Sequence, residues 1–196
     1  MANSLDSIAL DQLFRNARSQ NQWLDKPVTQ NQLHALYDLM KWGPTSVNSF
    51  PLRVVFITST KGKAKLIPLL SEGNKAKVQT APVTAILGYD LQFVEWLPRL
   101  FPHKDMRAVF ADKPALIEST AFRNSSLQGG YFILAARSLG LDCGPLSGFD
   151  NEGVNTHFFP EGHVKSNFIC ALGYGDPAGV YGRSPRPTFG DVCRFE

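Results

Sequence analysis

KWGPTSVNSFPLRVVFI, residues 41–57, joins two kinds of periodicity. Before it, Leu33, Leu36, Tyr37 and Met40 recur at helical spacing, with Thr29 placed to cap the helix. At its end, Val54, Val55, Phe56 and Ile57 read as a strand. Between Lys41 and Arg53 there is no charge, but there are two prolines, three hydroxyl residues and Asn48. A plain turn needs one Gly or Asn. So many neutral hydrogen-bonding groups suggest a loop that holds something flat, uncharged and polar at its edges.

The periodicity continues outward on both sides. A first helix is expected over 5–17, with Leu5, Ile8, Ala9 and Leu13 on one face and Leu10 and Phe14 beside them. Residues 61–70 read as a helix that Pro68 ends or kinks. Val83–Tyr89 and 166–175 read as strands, Asn151–Phe159 as a short helix, and "LDCGPLSGF" as a loop. A long helix spans about Ala115 to Leu139, and Gly140 stops it. Gly129 and Gly130 in its middle each cost about 1 kcal/mol against Ala, which implies close packing there against a helix or a planar ligand. Residues 91–113 are irregular, aromatic and broken by Pro98 and Pro102, as in an insertion or lid. From Asp176 the chain has no periodicity and reads as an extended arm lying on a surface, such as that of a partner. Few strands and several helices make the class α+β, in one domain over 1–196.

Composition narrows the functions. The chain has 196 residues, 43% apolar and 19% charged, with a net charge of +3. That charge is too small and scattered for a nucleic-acid footprint, though a pI near 8.8 suits small anions such as phosphates. No segment reaches the roughly 20 apolar residues that cross a bilayer. The N-terminal stretch has neither the basic nor the apolar region of a signal peptide, and three cysteines without a C-x-x-C fit a reducing compartment. A cytoplasmic protein is expected.

Several motifs fail on context. "GYGDPA" (173–178) follows a strand, but Pro177 and Gly179 prevent the helix that a dinucleotide fingerprint opens. Around Ser147, Pro145 and Phe149 stand where a nucleophile elbow needs glycines. The four histidines and three cysteines lack metal-ligand spacing, so no metal site is expected. Three groups of residues remain. Arg18, Ser19 and Asn21 offer a guanidinium, a hydroxyl and an amide within about one turn, suited to a phosphate or an amide-like ring edge. Arg183 and Arg186, fixed by Pro185 and Pro187, could close on the same phosphate. Asn74 and Lys77 share a helical face and would present an amide and a cation to a ring edge.

Five stretches, "ARSQNQWLDKPV", "KWGPTSVNSFPLRVVF", "GNKAKVQTAPV", "AFRNSSLQGGYFILAARSLGLDCGPLSGF" and "LGYGD", occur in the order seen in the flavin-dependent nitroreductases. The chain resembles that family over nearly its whole length, and most of all the malonic semialdehyde reductase subfamily. The resemblance implies an α+β sandwich with a mixed central sheet flanked by helices, in an interlocked homodimer with FMN at the interface. It implies that Arg18, Ser19 and Asn21 hold the FMN phosphate and pyrimidine end, with Arg186 as the C-terminal phosphate-binding residue. Pro44, Thr45, Ser46 and Asn48 would cover the isoalloxazine from the second chain. Asn74 and Lys77 would meet the flavin ring and ribityl chain, and the backbone of Pro145, Leu146, Ser147 and Gly148 would approach flavin N5. Hydride would pass from NADH or NADPH through the flavin to a small aldehyde such as malonic semialdehyde, or to a nitroaromatic or quinone, in a ping-pong cycle without a side-chain nucleophile. Ala17 and Asn21 replace two basic residues usual in the family, which shifts phosphate binding toward Arg18 and Arg186. Phe50-Pro51-Leu52 replaces the family's Gln-Pro-Trp, altering a wall beside the flavin or a subunit contact. A flavin-storage protein of the same fold, or a cofactor-free interaction protein, fits the same residues without the chemistry.

Overall fold

The computed structural model describes residues 3–196. In chain order the elements are α1 (Ser7–Leu10), which runs into a π-helical turn (Asp11–Arg15), then α2 (Gln30–Met40), β1 (Leu52–Ile57), α3 (Thr60–Leu66) and α4 (Glu72–Thr80). They continue with β2 (Val83–Asp90), α5 (Leu97–Leu100), α6 (Arg107–Phe110), α7 (Pro114–Ser138) and β3 (Asp142–Leu146). The last are α8 (Asn151–Phe158), β4 (Val164–Gly173) and α9 (Phe189–Val192).

The strands form one sheet in the order β1-β2-β4-β3. Each pair in it is antiparallel. The mixed sheet expected from the resemblance therefore narrows to four antiparallel strands and a parallel bridge between Ser19 and Cys143 on the open edge of β3. β2 is buried at every residue. Alternation sends its side chains into two cores. Val83, Ala85 and Leu87 join Leu36 and Met40 of α2 and Phe132 of α7, while Ile86 joins Leu66, Val78 and Val154 of α3, α4 and α8. Helices thus cover both faces, which makes the α+β sandwich.

Local chemistry explains the element ends. Thr29 and Gln32 form a reciprocal capping box at α2, with each side chain accepting from the other's backbone N–H. Pro68 ends α3 and opens a single 3₁₀ turn over Ile67–Leu69. The strand β3 runs through residues that read as a loop. Gly144 and Pro145 have low strand propensity, but β3 is an edge strand, where proline is tolerated. The first helix forms over a shorter span than expected, and part of its apolar face stays uncovered within the chain: Ile8 is 78% exposed, while Ala9, Leu10 and Leu13 are half-buried. Residues 91–113 are built from α5, α6 and a 3₁₀ turn, and Phe93, Leu97 and Phe110 bury against Tyr89 and Ala121.

The two glycines of α7 divide. A Cβ on Gly129 would come within 2.5 Å of the Phe168 ring, whereas one on Gly130 would meet nothing within 4 Å. The neighbour that requires Gly129 is thus an aromatic side chain of β4, not a helix or a ligand, and no such requirement exists at Gly130. Accordingly, Gly129→Ala lowers the unfolding free energy by about 1–3 kcal/mol through overpacking. Gly130→Ala does not lower it and adds up to about 1 kcal/mol through helix propensity. Urea denaturation of both variants checks this, and an equal loss at Gly130 contradicts the packing described.

Candidate functional site

The segment after the first helix is placed by the edge of β3. The Gln20 N–H donates to the Cys143 carbonyl at 2.9 Å, next to the Ser19–Cys143 bridge. Gly144 is needed there, because a Cβ would meet the Gln20 carbonyl oxygen at 2.4 Å. Anchored this way, Arg18, Ser19 and Asn21 line a cavity of about 280 Å³. The start of the C-terminal arm closes it with Tyr181, Arg183 and Arg186. Arg183 donates to the Arg15 and Ala17 carbonyls at 2.6 and 3.1 Å, and Arg18 donates to the Tyr181 carbonyl. Arg186 donates to the carbonyls of Ser184 and Pro185, both at 3.1 Å. Arg18, Ser19, Asn21 and Arg186, which the sequence suggested for a phosphate, are therefore brought together within one chain, and Arg183 lines the same cavity.

A fourth arginine, Arg137, lines the same cavity from the last turn of α7. Sequence reasoning missed it. A basic residue in a last helical turn is already explained by the helix dipole and carries no sign of a ligand. Among the described residues none of the four arginines forms a salt bridge. Four cations thus face one small space whose lining holds no carboxylate.

The second group lies at the other end of β3. Asn74 and Lys77 share a face of α4. The Asn74 side-chain amide donates to the Gly148 carbonyl at 3.1 Å, and the Ser71 N–H donates to the same oxygen at 3.0 Å. A Cβ on Gly148 would lie 2.8 Å from the Asn74 amide nitrogen, so the loop Pro145–Gly148 seats directly on α4. The stem of Lys77 crosses Gly144, where a Cβ would lie 3.0 Å from its Cδ. Lys77 is buried and in no salt bridge among the described residues. Burial pulls its ammonium below the usual lysine range, offset in part by the nearby Cys170 thiol. Arg18–Asn21, Asn74, Lys77 and Pro145–Gly148 are thus gathered around β3.

The third group does not join them. The Thr45 hydroxyl accepts the Phe50 N–H at 3.2 Å. The Ser46 N–H donates to the Asn124 side chain at 2.8 Å, and the Asn48 amide donates to the Leu100 carbonyl at 2.8 Å. Much of this loop's hydrogen-bonding capacity therefore holds the loop itself. It has reason to: Val47, Asn48 and Phe50 all adopt positive φ, at 48°, 51° and 44°. For a β-branched valine that is a strained conformation, of the kind found at functional sites. Pro44 and Asn48 line a separate, largely apolar cavity of about 1050 Å³ between α2, β1 and the 93–100 segment. Trp96 stands beside it with the Arg53 and Arg99 guanidiniums 5.0 and 4.7 Å from its ring, and Arg53 pairs with buried Asp90.

Among the described residues no cluster of three His, Cys, Asp or Glu side chains could hold a metal ion. No helix among them is long and apolar enough to cross a membrane.

The model of the Nitroreductase family matches residues 14–174. A Burkholderia lata protein with the provisional name NADH dehydrogenase/NAD(P)H nitroreductase is 59% identical over 193 residues, 98% of this chain and 99% of its own length. A Stenotrophomonas maltophilia protein with the same provisional name is 57% identical over 195 residues, 100% of both chains. Among solved structures, a provisionally named nitroreductase from Exiguobacterium sibiricum, in complex with FMN, superposes with a TM-score of 0.86 at 18% identity, over 100% of this chain and 99% of its own. That likeness shows the fold, and the match over 14–174 with the two close relatives shows more: this chain belongs to the nitroreductase family.

Proposed function

We propose that the protein is an FMN-dependent NAD(P)H oxidoreductase that works as a homodimer and reduces a small aldehyde such as malonic semialdehyde. The arginine cavity carries this reading. It presents four cations, no carboxylate, a hydroxyl and an amide, which suits a phosphate monoester dianion. The provisional names of the relatives and the FMN complex of the Exiguobacterium protein support it.

The residues present fit the cofactor. Arg18, Ser19, Asn21 and Arg186 would hold the phosphate, with Arg183 strapping the arm beside it. Asn74 and Lys77 would meet the ring edge and ribityl chain, since Lys77 is a buried cation that still lacks a counter-charge. Gly144 and Gly148 let Gln20, Lys77 and Asn74 pack directly against β3 and its loop, which brings these groups together. The backbone of Pro145, Leu146, Ser147 and Gly148 would border the ring. When bound, FMN would supply hydride transfer from NAD(P)H to the acceptor, with nitroaromatics and quinones as further acceptors. The protein's own part is to bind, orient and exclude water, and no side chain serves as a nucleophile.

The second chain is needed for two reasons. Every residue from 181 to 196 is exposed, with Phe189 60%, Val192 67% and Phe195 91% exposed. Apolar groups so placed, together with Ile8, Phe14 and Trp42, mark a surface that a partner covers. Pro44, Thr45, Ser46 and Asn48 also sit away from the arginine cavity of their own chain, so they would reach a flavin only across the interface. Light scattering at micromolar concentration is expected to show a dimer, and deleting residues 187–196 to weaken it. A flavin-loaded monomer contradicts this assembly.

Purified protein is expected to be yellow and to release FMN, not FAD, on denaturation. Each charge-assisted hydrogen bond is worth roughly 1.5–3 kcal/mol, so Arg18→Ala and Arg186→Ala each weaken FMN binding by about ten- to a hundredfold. Asn48→Ala leaves FMN bound and changes the hydride-transfer rate. Fluorescence titration and stopped-flow kinetics read these out. Arg18→Ala with intact affinity, or Asn48→Ala with an empty site, reverses the placement.

Lys77 yields a separate expectation. With its ammonium disfavoured in the folded state, the unfolded chain binds more protons between that lowered value and the ordinary 10.5. Ligand-free stability therefore rises with pH across that window. Lys77→Met removes this unpaired, partly desolvated charge, so it raises ligand-free stability at neutral pH and flattens the rise, while weakening FMN binding. Denaturation at about pH 7 and about pH 10 checks the sign, and a destabilised variant refutes it.

A further inference from the structure

We infer that Arg137 is a further phosphate-binding residue, supplied by the end of α7 and not by either terminal segment. The inference rests on the flavin reading of the arginine cavity. Arg137 lines that cavity together with Arg18, Arg183 and Arg186. Its Nη1 donates to the Leu13 carbonyl at 3.1 Å, and its Nε is buried with no hydrogen-bond partner. Its Nη2 donates to nothing among the described residues and, unlike Nε, is not shut off by packing. A guanidinium has only donors, so this N–H is available to an acceptor in the cavity that Arg137 lines.

Position separates Arg137 from the other three. Arg18 follows the first helix, and Arg183 and Arg186 lie on an arm exposed along its length from residue 181. Arg137 belongs to a 25-residue helix whose neighbouring Ala135 and Ala136 are buried. Its own carbonyl accepts from the Gln12 side chain at 2.7 Å, which ties the first helix to the same point. A group on a packed helix loses little freedom on binding, so its contribution to affinity is less reduced by ordering. Charge adds a second reason. The last turn of a helix carries partial negative charge, which would repel a phosphate. A guanidinium in that turn turns the end of α7 into a surface that an anion can approach.

The test compares two ligands that differ only in the phosphate. Ligand-free wild type, Arg137→Ala and Arg137→Gln are titrated with FMN and with riboflavin by flavin fluorescence. Glutamine keeps a donor for the Leu13 carbonyl without the charge, so it carries the experiment if the alanine variant does not fold. FMN affinity is expected to fall about ten- to a hundredfold in the variants while riboflavin affinity stays as in wild type. Parallel losses for both ligands would assign Arg137 a purely structural role and overturn the inference, as would unchanged FMN affinity. A wild type that binds neither flavin overturns the flavin reading itself, and this inference with it.

Discussion

The strand β2 has no exposed residue, and that constraint organises the rest of the chain. A strand buried on both faces must be paired along both edges and covered above and below. β1 and β4 supply the pairing; α2 and α7 cover one face and α3, α4 and α8 the other. Nothing is left at the centre of the sheet for a ligand to touch. Polar chemistry is displaced to the edge strand β3, where a backbone edge is still free. There the 19–20 segment attaches, Gly144 lets it approach, and the loop at Gly148 rests on Asn74.

The same chain carries several features that are unfavourable for it alone. Four arginines share one cavity without a carboxylate, and Lys77 is buried without a counter-charge. The C-terminal arm holds its aromatic residues in solvent. Each defect is one that a phosphate, a ring edge or a second chain relieves, and the proposed dimeric flavoprotein relieves all of them together. A fold selected for its stability as a bare monomer has no reason to collect them at the two ends of one edge strand and on one arm.

Much of the architecture was legible as pattern. Helical spacing located α2 and α7, continuous apolar runs located β1, β2 and β4, Thr29 marked a cap and Pro68 a helix end. These depend on neighbours a few residues apart, whose chemistry is written locally. The pairing of Arg18 with Arg183 and Arg186 was also suggested, because each cluster is short and dense in donors.

What sequence could not carry is proximity between distant segments. β3 looked like a loop because Gly144 and Pro145 oppose strand propensity, and only its place at the edge of the sheet permits them. Gly129 and Gly130 looked alike, yet one lies against Phe168 and the other against nothing. Nothing in the sequence singled out Arg137, which lines a cavity with Arg18, Arg183 and Arg186 only once distant segments meet. Thr45 and Asn48 read only as ligand-facing groups in the sequence; in the folded chain the Thr45 hydroxyl also accepts the Phe50 N–H and the Asn48 amide also donates to the Leu100 carbonyl. Local periodicity is an intrinsic property of a segment and survives in the bare sequence. Which cations share a cavity, and which small residue meets a ring, depends on long-range packing, and only the folded chain decides it.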